Sequence, residues 1–197
     1  MALAKTTSID VVDDWQQVVG GNFDVGNAKD ISDSYDTLLF IEVALTSISA
    51  QSGCVVIVEI SYGDDDWVEF TRFTGTAETP ATTTINDASV NAGDTTITLT
   101  DATTGDFDED GRKWFIKDGT VANSESVRTV VNAGHQVTIA QDLMRSHADG
   151  LDVYDRVDEW IVKLPFAAAY VRTLINNQDA DAGVHYTTRV SKVTALS

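Results

Sequence analysis

Apolar residues along this chain come in short runs, and within each run they alternate with polar or differently facing neighbours. In TLLFIEVALT (37–46), Leu39, Ile41, Val43 and Leu45 fall on one side of an extended backbone. Val56, Val58, Ile60 and Tyr62 do the same in CVVIVEISY (54–62). Successive side chains of a strand point to opposite faces, so a period of two predicts strands with one face against a core. Further candidates are WVEFTRF (67–73), TTITLT (95–100), KWFIK (113–117), SVRTVV (126–131) and QVTIA (136–140). DEWIVKLP (158–165), AYVRTLIN (169–176) and VHYTTRVSKVT (184–194) follow. Gly, Asp, Asn and Ser clusters separate these runs, and helical periodicity is scarce. The pattern predicts an all-β protein. SYGDDDWV predicts a Gly-Asp hairpin turn. Leu38 and Phe40 are apolar on the opposite face of the first strand, which is therefore expected to be covered on both sides. These two residues, with Trp15 and Trp67, are the expected interface side chains.

The spacing of the runs changes along the chain. GTAETPATTTINDASVNAGD, from residue 75, is rich in Thr, Ala and Asn and reads as a linker. Strands after it are short and close together until about residue 154, and from DEWIVKLP they lengthen again. A β-sandwich needs about seven strands. The long runs reach that number only when both ends of the chain combine, with one more strand near WQQVV. The expected architecture is a discontinuous, jelly-roll-like β-sandwich of residues 15–78 and 155–197. A small β-barrel, residues 79–154, is inserted between them. Residues 1–14 lack a core pattern and are expected to form an N-terminal arm. AQDLMRSHADG (140–150) predicts one helical turn, with Leu143 and Met144 packed beneath it and Gly150 ending it.

Composition narrows the partners. The 197 residues carry a formal charge of −18, and 43% are hydrophobic. The composition is that of a folded chain. Duplex nucleic acid is a poor partner and none is expected, because binding it relies on Lys and Arg displacing counterions from phosphates. An anionic membrane is disfavoured on the same ground. The charge serves solubility first and attraction to a basic surface second. No apolar stretch approaches the roughly 18 residues that a membrane helix requires. MALAKTTSIDVVDDW lacks the continuous apolar run of a signal peptide, which argues against export. Cys54 is the single cysteine, so no intrachain disulfide forms, and its strand-like run makes it a buried small hydrophobe.

Little in the sequence looks like chemistry. GDFDEDG (105–111) places Asp106, Asp108 and Asp110 at alternate positions before Gly111, like the start of a calcium loop. Counting from Asp106, position 12 of such a loop should be Glu but is Lys117, and position 9 is Trp114. Three or four oxygens can be named where calcium needs six or more. The stretch reads as an acidic turn before KWFIK, with no cofactor expected. Asp64, Asp65 and Asp66 are consecutive and read as a solvated hairpin tip. His135, His147 and His185 have no metal-ligand spacing; His147 is expected to bond a backbone group in a loop, and His185 to face solvent or a partner. No nucleophile elbow, P-loop or dinucleotide fingerprint is present, so no enzyme is expected. Trp15, Trp67, Trp114 and Trp160 lie at or within apolar runs, which predicts core or interface burial. Their sharper alternative is a sugar-binding platform.

The middle segment, residues 89–155, resembles a small β-barrel module of tailed-bacteriophage virion proteins. The likeness lies in the order of AGDTTITLTDAT, a Gly/Asp turn into WFIKDG, then SESVRTV, HQVTIAQDL and HADG. The flanks, with SYDTLLFIEVALTS and VHYTTRVSKVTAL, are similar in style to phage decoration or tail-associated sandwiches. The resemblance implies a virion structural protein, first of all a capsid decoration (cement) protein that binds the major capsid protein or other virion proteins. It implies a capsid-surface location, assembly in the host cytoplasm and a homo-oligomer, specifically a trimer. It carries over no catalytic residue. The alternative is a tail-, fibre- or neck-associated protein contacting a host glycan.

Overall fold

The structure is a computed structural model describing residues 5–46, 54–63, 65–76, 79–88, 90–101, 107, 111–178 and 183–196. The fold is all-β, and its strands fall into two compact units. One unit is Met1–Val43, Ala50–Glu78 and Asp158–Ser197; the other is Ala44–Ser49 and Thr79–Val157.

The first unit holds two sheets. One has four strands in the order β1 (Lys5–Val18), β15 (Val184–Leu196), β4 (Asp36–Leu45) and β13 (Val157–Lys163). The other runs β2 (Phe23–Val25), β14 (Tyr170–Asn177), β5 (Cys54–Ser61) and β6 (Trp67–Thr74), with β3 (Lys29–Asp30) also paired to β14. The alternation in β4 and β5 decides which side chains go inside. Leu39, Ile41 and Val43 are buried, as are Val56, Val58 and Ile60. Val171, Ile175, Tyr186 and Val190 are buried from β14 and β15. Each such side chain contributes roughly 1.5–3 kcal/mol of transfer free energy. Tyr186 Oη donates to Asp24 Oδ2 at 2.8 Å, which ties β15 to β2. Phe73 of β6 stacks on Trp160 of β13 with ring centroids 5.3 Å apart, tying the same two sheets at their other edges. Tyr62 departs from expectation: it is 60% exposed, because β5 ends at Ser61 and the turn carries Tyr62 outward.

Residues 5–14, read from sequence as an arm, are strand. β1 pairs antiparallel with β15 from Lys5 to Val18. The signal was hidden by register shifts between Thr6 and Thr7, Val11 and Asp13, and Asp13 and Gln16. Each shift breaks the two-residue period and bends the strand. The last two turn Asp13 and Trp15 into the core. Asp13 is satisfied there: it accepts from Asn27 N at 2.9 Å, Asn27 Nδ2 at 2.7 Å and Thr188 Oγ1 at 2.7 Å. A buried carboxylate is tolerable only with such donors. The crowding fixes Gly26, since a Cβ there would lie 2.5 Å from Asp13 Oδ2.

The second unit holds six strands in the order β7 (Thr82–Thr84), β12 (Asp152–Tyr154), β9 (Lys113–Ile116), β10 (Glu125–Ala133), β11 (Gln136–Ile139) and β8 (Thr96–Thr98). The ends of this order meet. Ile85 bridges Leu99, Asn86 N donates to Thr98 O, and Thr100 N donates to Thr84 O, each at 2.9 Å. The sheet thereby closes on itself as a small barrel. Its interior is filled by Ile85, Val90, Ile97, Leu99, Phe107, Trp114, Ile116, Val127, Val137, Ile139, Leu143 and Val153. The Thr-rich stretch read as a linker supplies β7 and two of these core residues. The expected helical turn at 140–150 is an irregular loop. Leu143 is buried beneath it, whereas Met144 faces out.

Candidate functional site

The four-stranded sheet turns one face to the core and one to the outside. On the outer side β1 presents Ile9, 70% exposed, and Val11, 58% exposed. Leu38, Phe40 and Glu42 of β4 lie half-buried there, alternating with buried Thr37, Leu39, Ile41 and Val43. On β13, Ile161 is 65% exposed beside buried Val162. Ile9, Phe40, Glu42, Thr187 and Arg189 line a groove of about 190 Å³ across β1, β15 and β4. An apolar strip across an open sheet face marks an interaction surface more than it marks chance exposure. The groove holds one charge of each sign, Glu42 and Arg189. Asp36 and Lys163 form an exposed pair at 3.5 Å beyond it.

The sequence-predicted interface residues separate here. Leu38 and Phe40 lie on this face. Trp15 does not: β1's bulges bury it in the sandwich core. Trp67 belongs to the other sheet, where the Arg172 guanidinium sits 4.1 Å from its ring centroid and pairs with Glu59 at 2.7 Å. Ile9, Val11 and Ile161 were not singled out from sequence. Ile9 and Val11 do alternate in SIDVV, and that was their only local signal.

In the barrel, Trp114 is buried edge-on against Phe107, with centroids 5.1 Å apart. Neither Trp15 nor Trp114 offers a sugar platform. His147 is buried in the same unit. Its Nε2 lies 2.6 Å from Glu125 Oε1, and its Nδ1 lies 3.9 Å from Asp118 Oδ2. Glu125 also accepts from the amides of Met144 at 3.1 Å and Arg145 at 3.3 Å. The pair clamps the irregular 140–150 loop onto β10. The expected backbone partner of His147 is thus a buried carboxylate instead, a contact between residues 22 apart in sequence. His185, expected to face outward, is wholly buried on β15. His135 is exposed in the β10–β11 turn.

Asp106, Asp108 and Asp110 lie outside the described residues. Gly111 follows with φ +81°, a left-handed conformation that glycine adopts without strain, and its amide donates to Thr129 O at 3.0 Å. Among the described residues no three His, Cys, Asp or Glu side chains are arranged to hold a metal ion. No helix among them is long and apolar enough to cross a membrane.

The shifted acidities are structural. Burial pushes the Cys54 thiol up to about 12, so its nucleophilic thiolate is suppressed. A hydrogen bond from Lys29, whose Nζ lies 2.9 Å from Oδ2, holds the Asp10 carboxyl below the usual range. Burial, then the hydrogen bond to Asp24, raises the Tyr186 phenol well above its ordinary value.

No known family profile matches the chain, and no curated protein matches it. Among solved structures it is similar to a Yersinia pseudotuberculosis-derived mitogen, at TM-score 0.32 and 8% identity over 96% of this chain and 87% of that one. A family 16 carbohydrate-binding module follows, at TM-score 0.29 and 10% identity over 92% of this chain and 72% of that one. The complex of the two major capsid proteins of bacteriophage P23-77 scores 0.24 at 8% identity, over 98% of this chain and 100% of that one. Scores and identities this low carry no functional argument. Viral capsid proteins stand among the weak structural likenesses of this chain, beside a mitogen and a carbohydrate-binding module.

Proposed function

We propose that this chain is a virion structural protein of a tailed bacteriophage, and specifically a capsid decoration protein. The observation that carries the reading is the apolar outer face of the four-stranded sheet, with Ile9, Val11, Phe40 and Ile161 together on one side. A side chain left outside a well-filled core is available to a neighbour, and burying it there drives assembly. The order of motifs in residues 89–155 supports a phage origin. On this reading the protein sits on the capsid surface as a homo-oligomer, and its contacts with the shell resist internal pressure. The charge of −18 keeps free copies soluble and suits a basic patch on the shell.

Quantitative mass spectrometry of purified virions tests this. A decoration protein is present in hundreds of copies, following the icosahedral shell. A count of about a dozen or fewer, as a cyclic neck or baseplate ring would give, would end the decoration reading.

One observation favours the glycan-contacting alternative. Tyr35 and Phe166 are both exposed and stack with centroids 6.5 Å apart. Binding to host-surface glycan that is lost in Phe166→Ala would favour that reading.

A further inference from the structure

We propose that the outer face of the four-stranded sheet is where a second copy of this chain docks, about a two-fold axis through the groove between β1 and β4. The inference rests on the reading of the protein as an assembling virion component and names the partner at that surface.

Three observations select a second copy. First, the apolar side chains on this face come from three strands, exposed Ile9 and Val11 on β1, half-buried Phe40 on β4 and exposed Ile161 on β13, so they form a strip wide enough to oppose another sheet. Second, the groove is charge-balanced on a chain whose formal charge is −18. Glu42 and Arg189 line it together. Two strongly acidic copies repel each other over most orientations, and a locally balanced apolar face is where that repulsion is least. A basic partner would gain more from the acidic surface elsewhere on the chain. Third, Glu42 and Arg189 are self-complementary. A two-fold contact brings each residue of a pair to the other copy, so Glu42 of one copy meets Arg189 of the next and the reverse pairing follows by symmetry. Sheets packed face to face through interdigitating apolar side chains need no further device.

Light scattering and sedimentation of the purified full chain, over a range of concentrations, test the proposal. The expected mass is twice the 21.3 kDa of one chain. Ile9→Asp, at an exposed position that the fold tolerates, is expected to give a chain of single mass with an unchanged far-ultraviolet spectrum. Arg189→Glu is expected to weaken the dimer by about tenfold or more, and Arg189→Glu combined with Glu42→Arg to restore it. Val25→Asp, on the five-stranded sheet, is expected to leave the dimer intact. A wild-type chain of single mass throughout, an Ile9→Asp variant that still dimerises, or a charge swap that fails to rescue would each overturn the proposal. If Ile9→Asp leaves the mass unchanged yet abolishes binding to purified capsids, the face belongs to the shell. The dimer inference then falls while the decoration reading stands. If the dimer dissolves as expected but the chain is absent from virions, the inference stands and the decoration reading falls.

Discussion

The two units of this molecule use similar residues to opposite ends. The barrel encloses its apolar side chains: twelve fill one cluster. The sandwich has longer strands and leaves more outside. Among the described residues, fourteen large apolar side chains are exposed, and all but Val130, Val131 and Met144 belong to the sandwich unit. The difference is geometric. A closed barrel has one interior, and each strand spends its inward positions there. A two-layer sandwich has two outer faces as well, and apolar residues placed on them stay outside its core.

The comparison can be broken most sharply in the barrel. Trp114→Ala removes its largest fully buried side chain and the edge contact with Phe107, and is expected to cost about 3–5 kcal/mol. Calorimetry should show the barrel melting early; an unaltered melting profile would mean that its interior is not the closed core described above. Glu125→Ala strips His147 and two loop amides of their acceptor and is expected to cost about 3 kcal/mol in urea denaturation, with Glu125→Gln milder. Equal losses for the two variants would show that the carboxylate's charge carries the whole contact, whereas a wild-type-like Glu125→Gln would show that packing and neutral hydrogen bonding suffice.

In the sandwich, Gly26→Ala forces a methyl against Asp13 and Thr173 and is expected to cost about 2 kcal/mol. Tyr186 supplies a pH test. Its folded-state pKa is raised above the ordinary value of 10.0, so its contribution is complete below that value and fades as pH rises through and beyond it. Stability should fall by about 1 kcal/mol between about pH 10 and 11, and Tyr186→Phe should flatten that slope. Asp10 works in the other direction: its lowered pKa stabilises above the ordinary carboxylate value of 3.8 and the contribution is lost as pH falls through the folded value. Its exposure to solvent keeps that effect small. The smallest change is expected from Val11→Thr, which should alter the stability of the dissociated chain by less than about 0.5 kcal/mol. A larger loss would mean that the outer face is already packed within one chain.

Much of the strand pattern was legible. β4, β5 and β6 lie within a residue or so of TLLFIEVALT, CVVIVEISY and WVEFTRF. In β4 and β5 alternation over eight or more residues leaves little choice of structure; β6 was legible from its aromatic and β-branched content, although its pairing with β5 shifts register between Glu69 and Thr71. β1 was not legible, because its bulges reset the period three times. β7 and β12 were missed because TTT holds no apolar residue and DVY is too short to show a period, whereas the equally short β8 sits within the alternating run TTITLT. Of the candidate surface, Leu38 and Phe40 were visible as apolar residues on the wrong side of a buried strand. Arg189 and Glu42 had no such mark, since a charged residue in a strand is unremarkable until its neighbours across the sheet are known.

Taken alone, the sequence determined what depends on neighbours a few residues apart, an all-β chain and the phase of its long strands, together with a formal charge of −18. The tertiary structure decided what depends on distant residues meeting. It buried Trp15 and His185, joined His147 to Glu125, closed β7 onto β8, and brought Ile9, Phe40 and Arg189 into one groove. Periodicity tells which side chains share a face, but only the pairing of strands far apart in the chain tells what that face meets.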